Sequence, residues 1–148
     1  MAADRNVTKN LIEVLEDGAA GFADAAEKLR DSDRPDLAPK FEAYAAQRAE
    51  FSAELERMAA AYGDDIDEDG SAKAAVHRMW MSVKDTLSGS DPEGVLDAAE
   101  QGEDHAVETY EDALKQDISA DLRSAVQRQY SDVKAAHDEV RALRNAAS

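Results

Sequence analysis

Apolar residues recur at alternating steps of three and four along most of this chain, and this spacing constrains the fold more than any other feature. In an α-helix such residues lie on one face, so each segment with this spacing predicts an amphipathic helix. Glycine and proline, which interrupt helices, number only seven and three. We therefore predict an all-α protein. The predicted long helices are at about residues 7–31, 35–62, 92–116 and 119–145, with a short helix at about 71–87.

Helix-starting residues lie where the periodic pattern is interrupted. Pro35 and Pro92 suit the first turn of a helix, and Ser119 is placed to cap the last one. Short links make the first two helices antiparallel, and likewise the last two. Two such pairs joined by a long connection that carries a short helix form the ferritin-like four-helix bundle, which we predict as a single domain over residues 1–148. The alternative is a five-helix bundle in which the helix containing Trp80 is an equal member.

The charge balance excludes several classes of partner. There are 33 acidic and 17 basic residues, a formal net charge of −16, which repels nucleic acids and anionic membrane surfaces. The absence of cysteine excludes disulfides and metal centres bound by thiolates. No stretch approaches the ~18 apolar residues of a membrane span, and the first residues lack the apolar segment of a signal peptide. We therefore expect a cytoplasmic protein.

Three predicted helices carry a polar residue within the apolar stripe, near the middle of the helix: Arg48, Glu103 and Gln129. Antiparallel helices of similar length bring their midpoints to one level, so these residues should share a layer with Asp17 of the first helix. A buried arginine must be paired and hydrogen-bonded. We predict that Glu103 is its partner, that Gln129 and Asp17 complete the network, and that Gly18 leaves room for the arginine.

Ferritin-like di-metal proteins hold their ligands at this level of the bundle, so a metal site is the alternative interpretation. Such a site takes a glutamate from each of two helices and Glu-x-x-His from the other two. The three histidines are preceded at that spacing by Ala74, Gly102 and Lys134, so the motif is absent. A diverged site that binds Fe or Mn remains an alternative, and its candidate ligands are Asp17, Glu100, Glu103 and His137. Apart from such a metal, no cofactor is expected.

Five segments resemble a bacterial family of ferritin-like four-helix-bundle proteins that carries a domain of unknown function. They lie in all five predicted helices, and Glu103 with Tyr110 repeats the Glu-x6-Tyr spacing of a ferritin helix. The resemblance implies the ferritin-like fold but no established activity, and metal chemistry carries over only where ligands match. The segments are residues 15–22, 47–51, 77–80, 102–110 and 129–138.

An acidic segment after the second helix resembles the first half of a calcium-binding loop. Asp65, Asp67 and Asp69 occupy its first, third and fifth positions, and Gly70 its sixth. The twelfth position should be a bidentate glutamate but is Val76. We interpret the segment as an acidic loop between helices, with weak calcium binding as the alternative.

Three hypotheses about function follow from these patterns. We favour a non-enzymatic acidic bundle, with a stress-related role as one option, that acts through a protein partner or by self-association. The helix around Trp80 could then form a homodimer contact. The second hypothesis is a diverged di-metal protein or oxidase, and the third is a weak calcium binder. We assign no enzymatic activity, because the sequence has no Gly-rich phosphate loop and no serine nucleophile with an identifiable base.

Overall fold

The computed structural model describes residues 4–61 and 92–147, and α-helices form nearly all of this part of the chain. The all-α prediction is confirmed there, since these residues contain no β-strand. Each helix end lies within three residues of the end predicted from the sequence. The predicted short helix at 71–87 lies outside the described residues. The helices are α1 (Asp4–Arg30), α2 (Ala38–Ala61), α3 (Pro92–Leu114) and α4 (Ala120–Ala147), with a 3-10 turn (Pro35–Leu37) before α2.

Side chains close the turn between α3 and α4. The Ser119 hydroxyl accepts a hydrogen bond from the Leu122 N–H (3.3 Å), so the predicted cap of the last helix is confirmed. Arg123 donates to the Leu114 carbonyl at the end of α3 (2.8 Å). At the start of α1, Asp4 accepts from the Ser119 N–H (2.8 Å). These bonds satisfy backbone groups that have no partner within their own helix.

Contacts along the helices define their directions. Arg30 at the end of α1 pairs with Glu42 near the start of α2, so these helices are antiparallel. In the same way Arg144 near the end of α4 meets Asp97 near the start of α3. α1 also packs along α3, whereas α2 and α4 approach each other mainly through side chains.

Two pairs of residues define the direction of α4 relative to α2. Tyr44 bonds to Glu139, and Glu54, later in α2, bonds to Arg128, earlier in α4. The two helices are therefore antiparallel. Because α4 is antiparallel to both α2 and α3, those two helices run in the same direction. They lie across a diagonal of the bundle. The carboxyl end of α2 and the amino end of α3 are therefore at opposite ends of the molecule.

The core consists of two apolar clusters. The predicted stripes are buried, since Leu11, Phe41, Leu96 and Val140 are all inaccessible to solvent. None of the described helices is long and apolar enough to span a bilayer. The cluster at one end is centred on Leu11, Ile12, Leu15, Phe51, Leu55, Tyr110, Leu122 and Val126. The cluster at the other end is centred on Phe22, Leu29, Phe41, Val95, Leu96, Ala99 and Val140.

Candidate functional site

A buried ion pair lies between the two apolar clusters and joins α2 to α3 across the diagonal. Arg48 and Glu103 are each only 1% exposed. The Arg48 Nη2 atom donates to Glu103 Oε2 (2.7 Å), and Nη1 donates to Oε1. The third guanidinium nitrogen, Nε, donates to Gln47 Oε1 (3.3 Å). The pair is bidentate, which is the strongest arrangement of arginine with a carboxylate.

Aromatic rings cover one side of this pair. The Arg48 guanidinium carbon lies 5.2 Å from the centre of the Phe22 ring, within the range of a cation–π interaction. Phe22 packs edge-on against Phe41, with ring centres 5.6 Å apart, and against Tyr44 at 5.3 Å. The rings keep water from that side of the guanidinium, so the charge of Arg48 is balanced mainly by Glu103.

Gly18 lies against Arg48, as the sequence predicts. A Cβ atom at this position would lie 3.9 Å from Arg48 Cγ, which is ordinary van der Waals contact. The glycine therefore leaves more room than the arginine needs. An alanine would fit without displacing the ion pair.

Gln129 is fully buried but belongs to a different set of hydrogen bonds. The Tyr110 hydroxyl donates to Gln129 Oε1 (2.7 Å), and Gln129 Nε2 donates to Glu54 Oε1 (2.7 Å) and more weakly to the Phe51 carbonyl (3.4 Å). Burial raises the pKa of Tyr110 well above its usual value. The hydrogen bond from Arg128 lowers the pKa of Glu54. This second network links the core to the surface between α2 and α4.

The offset between α3 and α4 explains why the predicted single layer is divided. His137 of α4 bonds to Asp104, the residue after Glu103, so His137 is the α4 residue at the level of the ion pair. Gln129 is eight residues earlier in α4, about two helical turns away. Asp17 is buried in α1, and the hydrogen bonds given above for Arg48 are to Glu103 and Gln47.

Two of the candidate metal ligands are carboxylates that already face arginines. Both oxygens of Glu103 accept from Arg48. Glu100, whose side chain is 8% exposed, accepts from Arg141 Nε (3.0 Å) and lies 2.6 Å from Arg144 Nε. A cation at either carboxylate would compete with a guanidinium that cannot lose its charge.

The histidine candidate is also engaged. His137 Nε2 contacts Asp104, and its Nδ1 lies 3.1 Å from Asp138. Throughout residues 4–61 and 92–147, no group of three or more His, Asp or Glu side chains is arranged to hold a metal ion. The residues present therefore do not fit a di-metal centre. The calcium-like positions Asp65, Asp67 and Asp69 and the Trp80 contact lie outside the described residues.

Comparison with known families supports one part of the resemblance seen in the sequence, namely a domain of unknown function. Residues 5–116 match the family described as "Domain of unknown function (DUF2383)". The chain belongs to the DUF2383 family. The matched region contains both members of the ion pair but ends before α4. No curated protein matches this DUF2383 chain.

A ladder of charges along the interface of α3 and α4 was not predicted from the sequence. Acidic residues on α3 and basic residues on α4 recur at steps of three and four and face each other in reverse order, as antiparallel helices require. This matched spacing is visible in the sequence, but it identifies the ladder only when the register of the two helices is known. The pair of Arg144 with Asp97, in which both side chains are exposed, should stabilise the protein by about 0–1 kcal/mol. Its members are Asp97, Glu100 and Asp104 on α3 and His137, Arg141 and Arg144 on α4.

Proposed function

We propose that this DUF2383 protein is a ferritin-like, non-enzymatic bundle in which the Arg48–Glu103 ion pair stands where a di-metal centre would lie. In this proposal the protein acts by association with a protein partner or with itself. The bidentate pairing of Arg48 with Glu103 between the two apolar clusters carries the proposal. A guanidinium at the centre of the bundle supplies the positive charge that metal ions supply in a ferritin-like di-metal protein.

The directions of the helices support the ferritin-like part of this proposal. α2 and α3 run the same way on one diagonal, and each is antiparallel to α4. A plain up-down-up-down bundle would make α2 and α3 antiparallel. Ferritin-like folds have this parallel arrangement because a crossover joins their second and third long helices; the crossover that the sequence predicts lies outside the described residues. Residues 1–148 are then one domain.

The permanent charge of arginine is the reason why we propose no metal catalysis at this site. A metal ion at Glu103 would have to displace Arg48 and leave its guanidinium buried without a partner, which is strongly unfavourable. The acidic surface, with a net charge of −16, favours a basic protein surface as the partner. It disfavours nucleic acid for the same reason.

Metal analysis tests this proposal directly. The untagged protein is incubated aerobically with Fe(II) and washed with chelator. Its metal content is measured beside that of three variants, Arg48→Met, Arg128→Met and Glu103→Ala. Arg128 is the matched control, because it pairs with a carboxylate at the surface. We expect no retained stoichiometric metal in the wild type or in Arg128→Met. About one or two ions per chain, lost on Glu103→Ala, would contradict the proposal. The molar mass in solution then separates self-association from action through a partner.

A further inference from the structure

The turn between α3 and α4 lacks the residues that usually interrupt a helix. Residues 115–119 contain neither glycine nor proline, whereas the link from α1 to α2 contains Pro35. Apolar residues also continue through the turn at a spacing of four, which is a helical spacing. A straight helix from α3 into α4 is therefore compatible with the sequence. The apolar residues at this spacing are Tyr110, Leu114, Ile118, Leu122 and Val126.

Hydrogen bonds from two side chains hold the turn in its bent form. The Ser119 hydroxyl accepts from the Leu122 N–H. Arg123 donates to the carbonyls of Leu114 and Gln116 (2.8 Å each). In a continuous helix each of these backbone groups would bond to a group four residues away, without help from a side chain. Straightening the turn therefore replaces one set of hydrogen bonds by another.

α4 differs in charge from the helix against which it packs. It has five basic and four acidic residues, whereas α3 has eight acidic residues and no lysine or arginine. Arg141 and Arg144 both face Glu100, and Arg144 also pairs with Asp97. The interface of α3 and α4 is therefore attractive whichever copy of the chain supplies α4. Two copies that met through their acidic surfaces would instead repel each other.

We infer that this chain binds a second copy of itself by exchanging α4. Residues 115–119 become helical in each copy, and α4 packs against α3 and α2 of the other copy. Because α4 is antiparallel to α3 in the bent form, two straight helices related by a twofold axis each place α4 on the α3 of the other copy. The exchange keeps the contacts of α4 with α2 and α3 and changes only the turn.

The exchanged dimer completes the polar network of the core with a residue from each copy. Gln129 of one copy accepts from the Tyr110 hydroxyl of the other, as it does within one chain in the bent form. The inference rests on the association that we propose as the function, and it names a second copy of the chain as the partner.

The first test uses the absence of cysteine from the chain. Asp97→Cys and Arg144→Cys are made as two separate full-length proteins, because these residues pair between α3 and α4. The two proteins are unfolded in urea, mixed, refolded at high concentration and treated with a short bismaleimide. We expect a covalent dimer with one chain of each kind, since exchange brings position 97 of one copy beside position 144 of the other. Mass spectrometry identifies the linked positions.

A matched pair of variants controls for accidental cross-linking. Arg128 lies in the half of α4 that faces the other end of α3, so Asp97→Cys mixed with Arg128→Cys should give no such product. A dimer in light scattering without the link between positions 97 and 144 would show association through another surface. Monomers at every concentration would show that α4 is not exchanged. Either result would overturn the inference.

Removing the bonds of the bent turn should favour the dimer. Arg123→Met removes the donor to two carbonyls, so the association constant measured by sedimentation equilibrium should rise about tenfold or more. Arg128→Met is the matched control, because it removes the same charge from α4 but its pair with Glu54 lies outside the turn. It should change the constant by less than about twofold. Equal effects of the two variants would contradict a role of the turn.

A proline in the turn should prevent the exchange. Asp117 is exposed and lies outside both helices in the bent form, whereas a proline within a continuous helix is strongly unfavourable. We therefore expect Asp117→Pro to be monomeric. Asp117→Gly should weaken the dimer in the same direction, by about fivefold, and provides the test if the proline variant does not fold. A dimer as stable as that of the wild type in both variants would overturn the inference.

This inference and the proposed function fail separately. Retained iron would refute the metal-free bundle and leave the exchange of α4 intact. A chain without the exchanged dimer would refute the inference and leave the ion pair and its metal test untouched. Circular dichroism of every variant confirms that helix content is unchanged before its association is compared.

Discussion

Replacing Arg48 with methionine should lower the free energy of unfolding by about 3–5 kcal/mol, the usual cost of breaking a buried ion pair by removing one partner. Methionine keeps an unbranched apolar chain that can still pack against Phe22, although it is about two atoms shorter than arginine and leaves part of its volume unfilled. The main loss is therefore the positive charge that compensates Glu103. The Glu103 side chain stays buried, at 1% exposure, and its carboxylate loses the two donors that Arg48 supplies. The lost cation–π contact contributes about 0.5–2 kcal/mol within that total.

Urea denaturation followed by circular dichroism measures this loss at neutral pH. For a domain of this size, 3–5 kcal/mol corresponds to a fall in Tm of roughly 6–20 °C. Arg128→Met is the control, because the pair of Arg128 with Glu54 is partly exposed and should contribute less than about 1 kcal/mol.

The single variant Glu103→Leu and the double variant Arg48→Met, Glu103→Leu complete the cycle. The double variant buries no charge, so it should regain most of the lost stability, up to about 1–4 kcal/mol above the wild type. A loss below about 1 kcal/mol in Arg48→Met would show that the guanidinium reaches water, contrary to its burial. A double variant less stable than either single variant would show that neighbouring groups depend on the pair for more than charge compensation.

Three further changes test other parts of the structure. Gly18→Ala should raise the free energy of unfolding by about 0.5–1 kcal/mol in the same urea assay, because alanine fits there and glycine is unfavourable within a helix; a loss would mean that the added methyl group disturbs the arginine. Tyr110→Phe should lower it by about 1–3 kcal/mol, because Gln129 Oε1 loses the hydroxyl that donates to it in the core. Because Arg128 lowers the pKa of Glu54 in the folded protein, this carboxylate stabilises the fold above its unfolded pKa, and the contribution is lost as pH falls through the lower folded pKa. Urea titrations at several acidic pH values should therefore show a shallower acid destabilisation for Glu54→Gln than for the wild type.

The helices and their buried faces follow from local patterns, which explains why they could be predicted. An apolar residue at every third or fourth position defines the face that a helix buries, whatever the rest of the chain does. Arg48 and Glu103 interrupt that face in two helices, and a buried arginine requires an acidic partner. Their pairing could therefore be predicted as soon as both side chains were expected to point into one core.

The position of Gln129 depends on information that the periodic pattern does not contain. A stripe defines how a helix is rotated about its axis, but not how far it is displaced along that axis. The displacement of α4 relative to α3 is determined by the turn at 115–119, where Ser119 and Arg123 satisfy backbone groups and Asp4 of α1 takes part. These are contacts between specific atoms across the chain. They place His137, and not Gln129, level with the ion pair.

Chance explains why the ladder between α3 and α4 was missed. In a chain with 34% charged residues, many pairs of helices present opposite charges at spacings of three and four. Only the observed neighbours and their axial offset select Arg141 and Arg144 as the partners of Glu100. The ladder could have been predicted only after the register of these two helices was known.

The ion pair offers a physical means of specifying that register. The two clusters consist largely of alanine, leucine and valine, and a helix shifted by two turns would still present similar side chains to the core. Such a shift would leave Arg48 buried against apolar groups, at a cost that the native register avoids. The double variant Arg48→Met, Glu103→Leu removes this penalty along with the charges. If the pair specifies the register, the variant should be as stable as the wild type but give more than one set of backbone NMR resonances. A single set at wild-type stability would show that the apolar clusters and the α3–α4 turn define the register without it.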